Sequence, residues 1–290
     1  MSTIAETPGV APPRAHRGRS PLNGSLSAGG LLLTAVLLVA LLGPLVSPYG
    51  SEQIISGDSL APPSRDHWLG ADNLGRDVLV RVAEGYRISL LVAIGSVTIG
   101  LLGGVPLGVL AGYGGDVVDN AVMRPLDVLM AFPALLLAIT VTAVFGTGTA
   151  VLILAIGVVY IPVIARVMRA STLETASLLY VEAARARGAS HRRILMRHVL
   201  PNSLGPVIVQ ASILMGVALL LEAAMSFVGL GVRPPTPSLG LMLSDGREFM
   251  SSSVWIVAGP GAAIMLLVLA FNLIGDGLQG WLDPRGRAGR

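Results

Sequence analysis

The chain has 290 residues, 53% of them hydrophobic and 13% charged, with a formal net charge of +3 and a mean hydropathy of +0.74. Soluble domains carry roughly 45–50% apolar and 25% charged residues, so this composition excludes an ordinary soluble domain and indicates an integral membrane protein. Cysteine and lysine are both absent, every one of the 20 basic residues being arginine. That excludes disulfides, thiol nucleophiles and cysteine metal sites, and also a phosphate-cradling loop ending in Gly-Lys-Ser/Thr, so any ATP-driven work belongs to a partner.

Residues 1–27 are rich in Pro, Gly and Ser, lack apolar periodicity and read as a disordered cytoplasmic tail. A charge near a bilayer centre costs about 2.5–3.5 kcal/mol, so charge-free runs of about 18 residues or more mark the spans. The first lies between Arg19 and Glu52 and the second runs from Ile88 to Gly115. The third, Val128 to Ala165, would be about 57 Å long as one helix, nearly twice a hydrocarbon core of about 30 Å. It must fold back, and Gly146-Thr147-Gly148 is the natural break. Val199–Leu221 and Phe249–Gly275 complete the set. The expected fold is all-α, a polytopic membrane protein with six transmembrane helices at about 29–47, 88–111, 124–145, 149–168, 203–225 and 254–275. They leave an outer segment at 48–87, a cytoplasmic loop at 169–202 and a short tail at 286–290. With both termini inside, fourteen arginines fall on the cytoplasmic side and six outside, the asymmetry expected of a multi-pass protein. A cleaved signal peptide is the alternative for the first span, against which stands a long Arg-bearing leader with no A-x-A site after Val46.

Between the fourth and fifth spans lies VEAARARGASHRRILMRHVLPN, Val181–Asn202. Leu173–Arg187 are good helix formers, Gly188 stands where a helix would end through a left-handed residue, and Ser190 can cap a second short helix. Ala183 and Ala184 leave the backbone nearly bare for the close approach of another protein, while Glu182 and the arginines supply charge at the rim. An interfacial helix whose arginines meet anionic lipid is the alternative.

The spacing Glu182-Ala183-Ala184, three residues, Gly188, then Leu200-Pro201 resembles the EAA loop of ABC importer permeases, E-A-A, x3, G, x9, I-x-L-P. His198 replaces the Ile, and Arg197-His198-Val199-Leu200-Pro201-Asn202 resembles the RHxLPN of the peptide and nickel branch. Four further stretches, His67–Leu91, Gly112–Ile139, Ser226–Gly240 and Phe271–Arg285, look like the C-type permease subunit of dipeptide and oligopeptide importers. The resemblance implies a type I ABC importer permease fold and a coupling helix in which Glu182, Ala183, Ala184, Arg187, Gly188 and Ser190 meet a cytoplasmic ATPase. It also implies a sister permease subunit, two ATP-binding cassette subunits or one fused ATPase, and an extracytoplasmic substrate-binding protein. ATP and Mg would be held by those partners, the chain itself carrying no cofactor and no catalytic site, with membrane lipid around it, a peptide substrate and no nucleic acid. The place implied is the bacterial plasma membrane.

In the outer segment, Asp72, Asn73, Arg76 and Asp77 are candidates for docking the binding protein, with a local Arg76–Asp77 ion pair as the alternative. Arg233–Ser238 reads as a proline-stiffened outer turn. Glu222, near the outer end of the fifth span, is a candidate outer-gate residue or contact for a peptide amino terminus, with an ion pair to Arg87 or Arg247 as the alternative. Asp127 is expected to pair with Arg124 on one helix face, and Asp276 to contact cytoplasmic loops. An intramembrane enzyme would need a nucleophile and base inside the spans, and none of the four histidines lies deep in one. An ion-coupled transporter would usually carry ionisable residues there, and a nickel path would favour His or Cys. Peptide import is therefore the preferred expectation, with nickel or another small solute such as glutathione as alternatives.

Overall fold

The computed structural model describes residues 21–55 and 57–282. Residues 1–20 of the expected tail, and the whole of 286–290, lie outside them. The described chain is helical: α1 Pro21–Val46, α2 Val78–Tyr113, α3 Asp116–Met130, α4 Ala134–Phe145, α5 Thr149–Ala176, α6 Leu179–Ala186, α7 His191–Ile194, α8 Leu200–Phe227, α9 Leu239–Gly246 and α10 Trp255–Leu282. α1, α2, α5, α8 and α10 are each long and apolar enough to cross a bilayer. α3 and α4 make a sixth span if taken together, bent by 91°.

That bend departs from the continuous third span expected at 124–145. Pro133 has no N–H to donate and its ring disfavours helical geometry at Phe132, so the ladder stops at Met130 and restarts at Ala134. The fold-back after it falls at Gly146 and Gly148, whose φ angles of 89° and 130° only glycine adopts cheaply. The second span starts ten residues before the expected 88, because hydropathy is interrupted by Arg81, Glu84 and Arg87 while the helix is not. Asp77 caps this helix, its side chain accepting from the Val80 N–H at 3.0 Å. Arg87 is accommodated by donating from Nε to the Ala40 carbonyl at 2.7 Å. α1 likewise begins at Pro21, inside the expected tail.

The most extensive packing is between α2 and α5. It follows from four glycines, Gly100, Gly104, Gly108 and Gly112, spaced four apart so that they line one face of α2. A methyl group on Gly104 would lie 2.7 Å from the Ile161 carbonyl oxygen, and one on Gly112 would lie 2.8 Å from that of Arg169. Only hydrogen permits this approach, the small-residue packing by which helices associate where lipid supplies no hydrophobic drive between them. α3 is tied to α5 by two ion pairs, Asp119 with Arg169 and Asp127 with Arg166 at 2.6 Å. Asp127 thus takes a partner on the neighbouring helix and not Arg124. Asp276 is exposed on α10.

Candidate coupling site and the opposite face

α5 stops at Ala176, where Ser177 donates its hydroxyl to the Glu174 carbonyl at 2.8 Å and closes the last turn, so the expected helix over 173–187 is divided. α6 follows. Gly188 takes φ 78°, and Ser190 caps α7 by accepting from the Arg193 N–H at 3.4 Å. α7 widens into one π-type turn over Leu195–Val199 before α8. The cause is Pro201, which lacks an N–H and whose ring would clash with the carbonyl four residues back; the ladder widens until Leu200 N–H meets the Leu195 carbonyl.

The resulting helical hairpin has its own core of Val181, Ala184, Ile194 and Val199, against which Tyr113, Ala176, Ala189 and Leu195 pack. Glu182, Ala183, Arg185, Arg187, Gly188 and Ser190 are exposed. Of the residues expected to touch a partner, Ala184 is therefore a correction: it is 3% exposed and faces inward, because it follows Val181 by three residues on the same helical face. Its small size lets α6 lie close on α7.

This hairpin is fastened to three spans. Ser203 on α8, fully buried, has its hydroxyl 2.9 Å from the Val199 carbonyl of the π-type turn and, on α5, 3.2 Å from the Ser171 carbonyl and 3.0 Å from the Thr175 hydroxyl. Tyr113 at the end of α2 meets His191 at 3.3 Å, and Tyr180 donates to the His198 carbonyl at 3.5 Å. These attachments join residues whose separation in sequence gives no periodic signal. The hairpin is thus bonded to the adjoining ends of α2, α5 and α8, and carries an exposed surface of small and charged groups.

On the opposite face, the segment before α2 is a knot of buried charge. Asp72 accepts from the Leu74 and Arg76 N–H groups at 2.8 and 3.0 Å and pairs with the Arg76 Nε at 2.6 Å, with Arg81 at 3.5 Å. Asp77, besides capping α2, binds His67 Nδ1 at 2.9 Å, while His67 Nε2 lies 3.4 Å from Asp58. The structure thus replaces the expected Arg76–Asp77 pair with Asp72–Arg76 and Asp77–His67. Asp72 and Asp77 are buried, so neither offers its carboxylate to a docking protein; Arg65, Asp66, Trp68 and Leu74 are among the exposed residues of this loop.

Removing the Asp77 carboxylate deletes a helix cap worth about 0.5–2 kcal/mol and a partner of a buried histidine. Asp77→Ala is expected to lower the detergent-solubilised melting temperature and open residues 57–77 to protease, while Asp66→Ala, at an exposed neighbour, does neither.

Burial by itself depresses the His67 imidazolium, but hydrogen bonds and charge from Asp77 and Asp58 outweigh it and raise its pKa above the ordinary 6.5. A raised folded-state value means the contribution is fully present below 6.5 and is lost as pH climbs through the raised value. Protease resistance of residues 57–77 is expected to be greater at mildly acid than at alkaline pH, with the dependence abolished in His67→Gln.

Glu222 is 1% exposed. Its Oε2 accepts from Ser89 on α2 at 3.0 Å and its Oε1 from Ser226 at 2.9 Å, with Ser238, the cap of α9, 3.4 Å from Ser226. The expected arginine partners are engaged elsewhere, Arg87 with Ala40 and Arg247 over the Phe227 ring at 5.4 Å. A serine set on three elements satisfies the carboxyl, and it joins α2, α8 and α9. Arg233, beside them, donates to the Thr147 hydroxyl at 2.7 Å and links the proline-rich turn to the α4–α5 connection.

Five apolar crossings, six with the bent pair, a helical hairpin at one face and a buried charged knot at the other define a multi-pass membrane permease. Residues 104–288 match the family model described as "Binding-protein-dependent transport system inner membrane component". The chain is 41% identical over 257 residues to the dipeptide transport system permease protein DppC of Alkalihalophilus pseudofirmus, covering 89% of this chain and 84% of that one. It is 44% identical over 262 residues to the glutathione transport system permease protein GsiD of Salmonella typhimurium, covering 90% and 86%. Among solved structures, an inward-facing MetNI methionine ABC transporter matches 70% of this chain and 96% of its own with a TM-score of 0.60 at 20% identity, a likeness of fold. The chain belongs to the binding-protein-dependent transport system inner membrane components, as an ABC importer permease of the dipeptide and oligopeptide branch.

Proposed function

We propose that the chain forms half of the translocation pathway for di- or oligopeptides in a bacterial plasma membrane, beside a homologous sister permease. Its hairpin docks into cytoplasmic ATP-binding cassette subunits, two chains or one fused, which hold ATP and Mg and carry out hydrolysis. An extracytoplasmic binding protein delivers the peptide to the opposite face, and both termini are cytoplasmic, in keeping with the arginine asymmetry. The observation that carries the reading is the hairpin: Glu182, Ala183, Arg187 and Gly188 lie exposed on an element continuous with α5 and α8 and bonded to the end of α2.

The transport cycle follows from that attachment. Closure of the ATPases displaces the hairpin as a body; the seam of glycines between α2 and α5 makes those two spans respond together, and alternating access results from rocking of the helix ends. The named relatives transport dipeptides and glutathione, itself a peptide, which favours peptide over nickel. The test is uptake of a labelled dipeptide and of labelled glutathione by cells expressing the whole operon. Wild type accumulates one or both; Gly188→Pro, which cannot adopt the positive φ, abolishes uptake with the protein still in the membrane. Uptake of neither solute by wild type, or undiminished uptake by the variant, overturns the reading.

A further inference from the structure

α1 crosses its neighbours obliquely. At one end it lies on α10, where Gly29 meets Ala270 and Ile274; at the other it leans on α2, where Gly43 meets Ala83. Beside these contacts lies a crevice of about 670 Å³ whose lining is overwhelmingly apolar, bounded by Val39 of α1, Pro62 and Pro63 of the outer segment and α10, and floored by Val82 and Tyr86 of α2. Along α10 it runs from Trp255 to Leu266, eleven residues or about 16 Å, about half of a hydrocarbon core of about 30 Å. The crevice is thus one leaflet deep.

At its mouth stand Trp68 and Trp255, 60% and 46% exposed, amphipathic rings of the kind that gather at a membrane–water interface. There the crevice adjoins a second cavity of about 90 Å³, which shares Trp68 and Leu79 with it but is lined by Arg65, Asp66 and Ser47. The polar pocket is lined by one arginine, Arg65, and two carboxylates, Asp66 and Asp77; Asp77 is taken up by His67 and the Val80 N–H, which leaves Arg65 and Asp66 to face a ligand. An apolar slot one leaflet deep beside that pair has the polarity of a phospholipid. The guanidinium matches a phosphate, and the adjacent carboxylate matches an ammonium. We propose that this site holds a single zwitterionic phospholipid, phosphatidylethanolamine in chemistry, with one acyl chain between α1 and α10 over Tyr86 and its headgroup at Arg65 and Asp66. The anion disfavours phosphatidylglycerol, which has no ammonium to offer it. Bound there, the lipid fills the gap between α1 and the remaining spans.

The test is native mass spectrometry of the assembled transporter released from nanodiscs of equal palmitoyl-oleoyl phosphatidylethanolamine and phosphatidylglycerol. Wild type is expected to retain one phosphatidylethanolamine per chain. Ala262→Trp, which fills an exposed position of the slot, loses it without losing partner subunits, and Arg65→Glu weakens retention in proportion to the lost phosphate contact. Equal retention by Ala262→Trp and wild type, or retention of both lipids without preference, contradicts the site. A photo-crosslinking residue at position 68 provides the second readout: labelling of phospholipid supports the proposal, and crosslinking to the sister permease in its place overturns it.

Discussion

Gly108→Leu is expected to abolish accumulation of the folded permease. The glycine sits midway along the α2–α5 seam, where even a methyl group would lie 2.6 Å from the Met168 Cβ and closer still to the Ala165 carbonyl oxygen. These are backbone and stem atoms that cannot rotate away, so the two helices must separate along the rest of the seam. Overpacking of this kind costs about 1–3 kcal/mol where side chains can yield, and more where backbone must move. The loss also propagates, because Gly100, Gly104 and Gly112 depend on the same spacing. Membrane-fraction immunoblots and size-exclusion profiles in detergent measure the outcome. Gly30→Leu, at a helical glycine with open space beside it, is the matched control and is expected to behave as wild type.

Ala184→Asp is expected to uncouple the permease from ATP hydrolysis although the residue faces no partner. The side chain would place a carboxylate among Val181, Ile194 and Val199, an apolar cluster with no charged member. A buried, uncompensated charge costs about 3–5 kcal/mol, a large fraction of what a two-helix hairpin of this size can contribute. α6 would then leave α7, and the exposed surface carried by Glu182, Ala183 and Arg187 would lose its geometry. Stimulation of ATPase activity by peptide and binding protein is the readout. It should fall to the unstimulated level in Ala184→Asp, remain in the volume-conserving Ala184→Ser, and fall less in Glu182→Ala, which removes a single rim contact.

The hairpin was legible in sequence because its signals are local. Gly188 and Ser190 act on their own backbone, and the E-A-A-x3-G spacing lies within seven residues. The fold-back at Gly146 and Gly148 was legible for the same reason. Two local signals were available and carried more than hydropathy revealed. Phe132-Pro133 announces a break inside an apolar run, and the repeated Gly-x3-Gly from Gly100 to Gly112 announces a close helix contact. What spacing could not show are the pairings between elements. Glu222 and Ser89 are 133 residues apart, and Asp127 and Arg166 are 39 apart. Asp127 had Arg124 nearby in sequence and found Arg166 across a helix interface, while Glu222, offered Arg87 and Arg247, is met by serines instead. The burial of Asp72 and Asp77 is of this type too: carboxylates in a polar loop read as surface until the loop closes on its own N–H groups and arginines.

The measurement that bears most directly on the central claim uses the absence of cysteine from the chain. Ala183→Cys places a unique thiol on the exposed crest of α6. A heterobifunctional reagent with a maleimide at one end and a photoreactive diazirine at the other, on membranes containing the assembled transporter, is expected to join residue 183 to an ATPase subunit, with a yield that changes when ATP is added. A membrane-impermeant maleimide should reach it in inside-out vesicles and not in intact cells. Labelling of residue 183 from outside intact cells, or a crosslink confined to lipid and to the permease itself, would contradict the assignment of this hairpin as the coupling element.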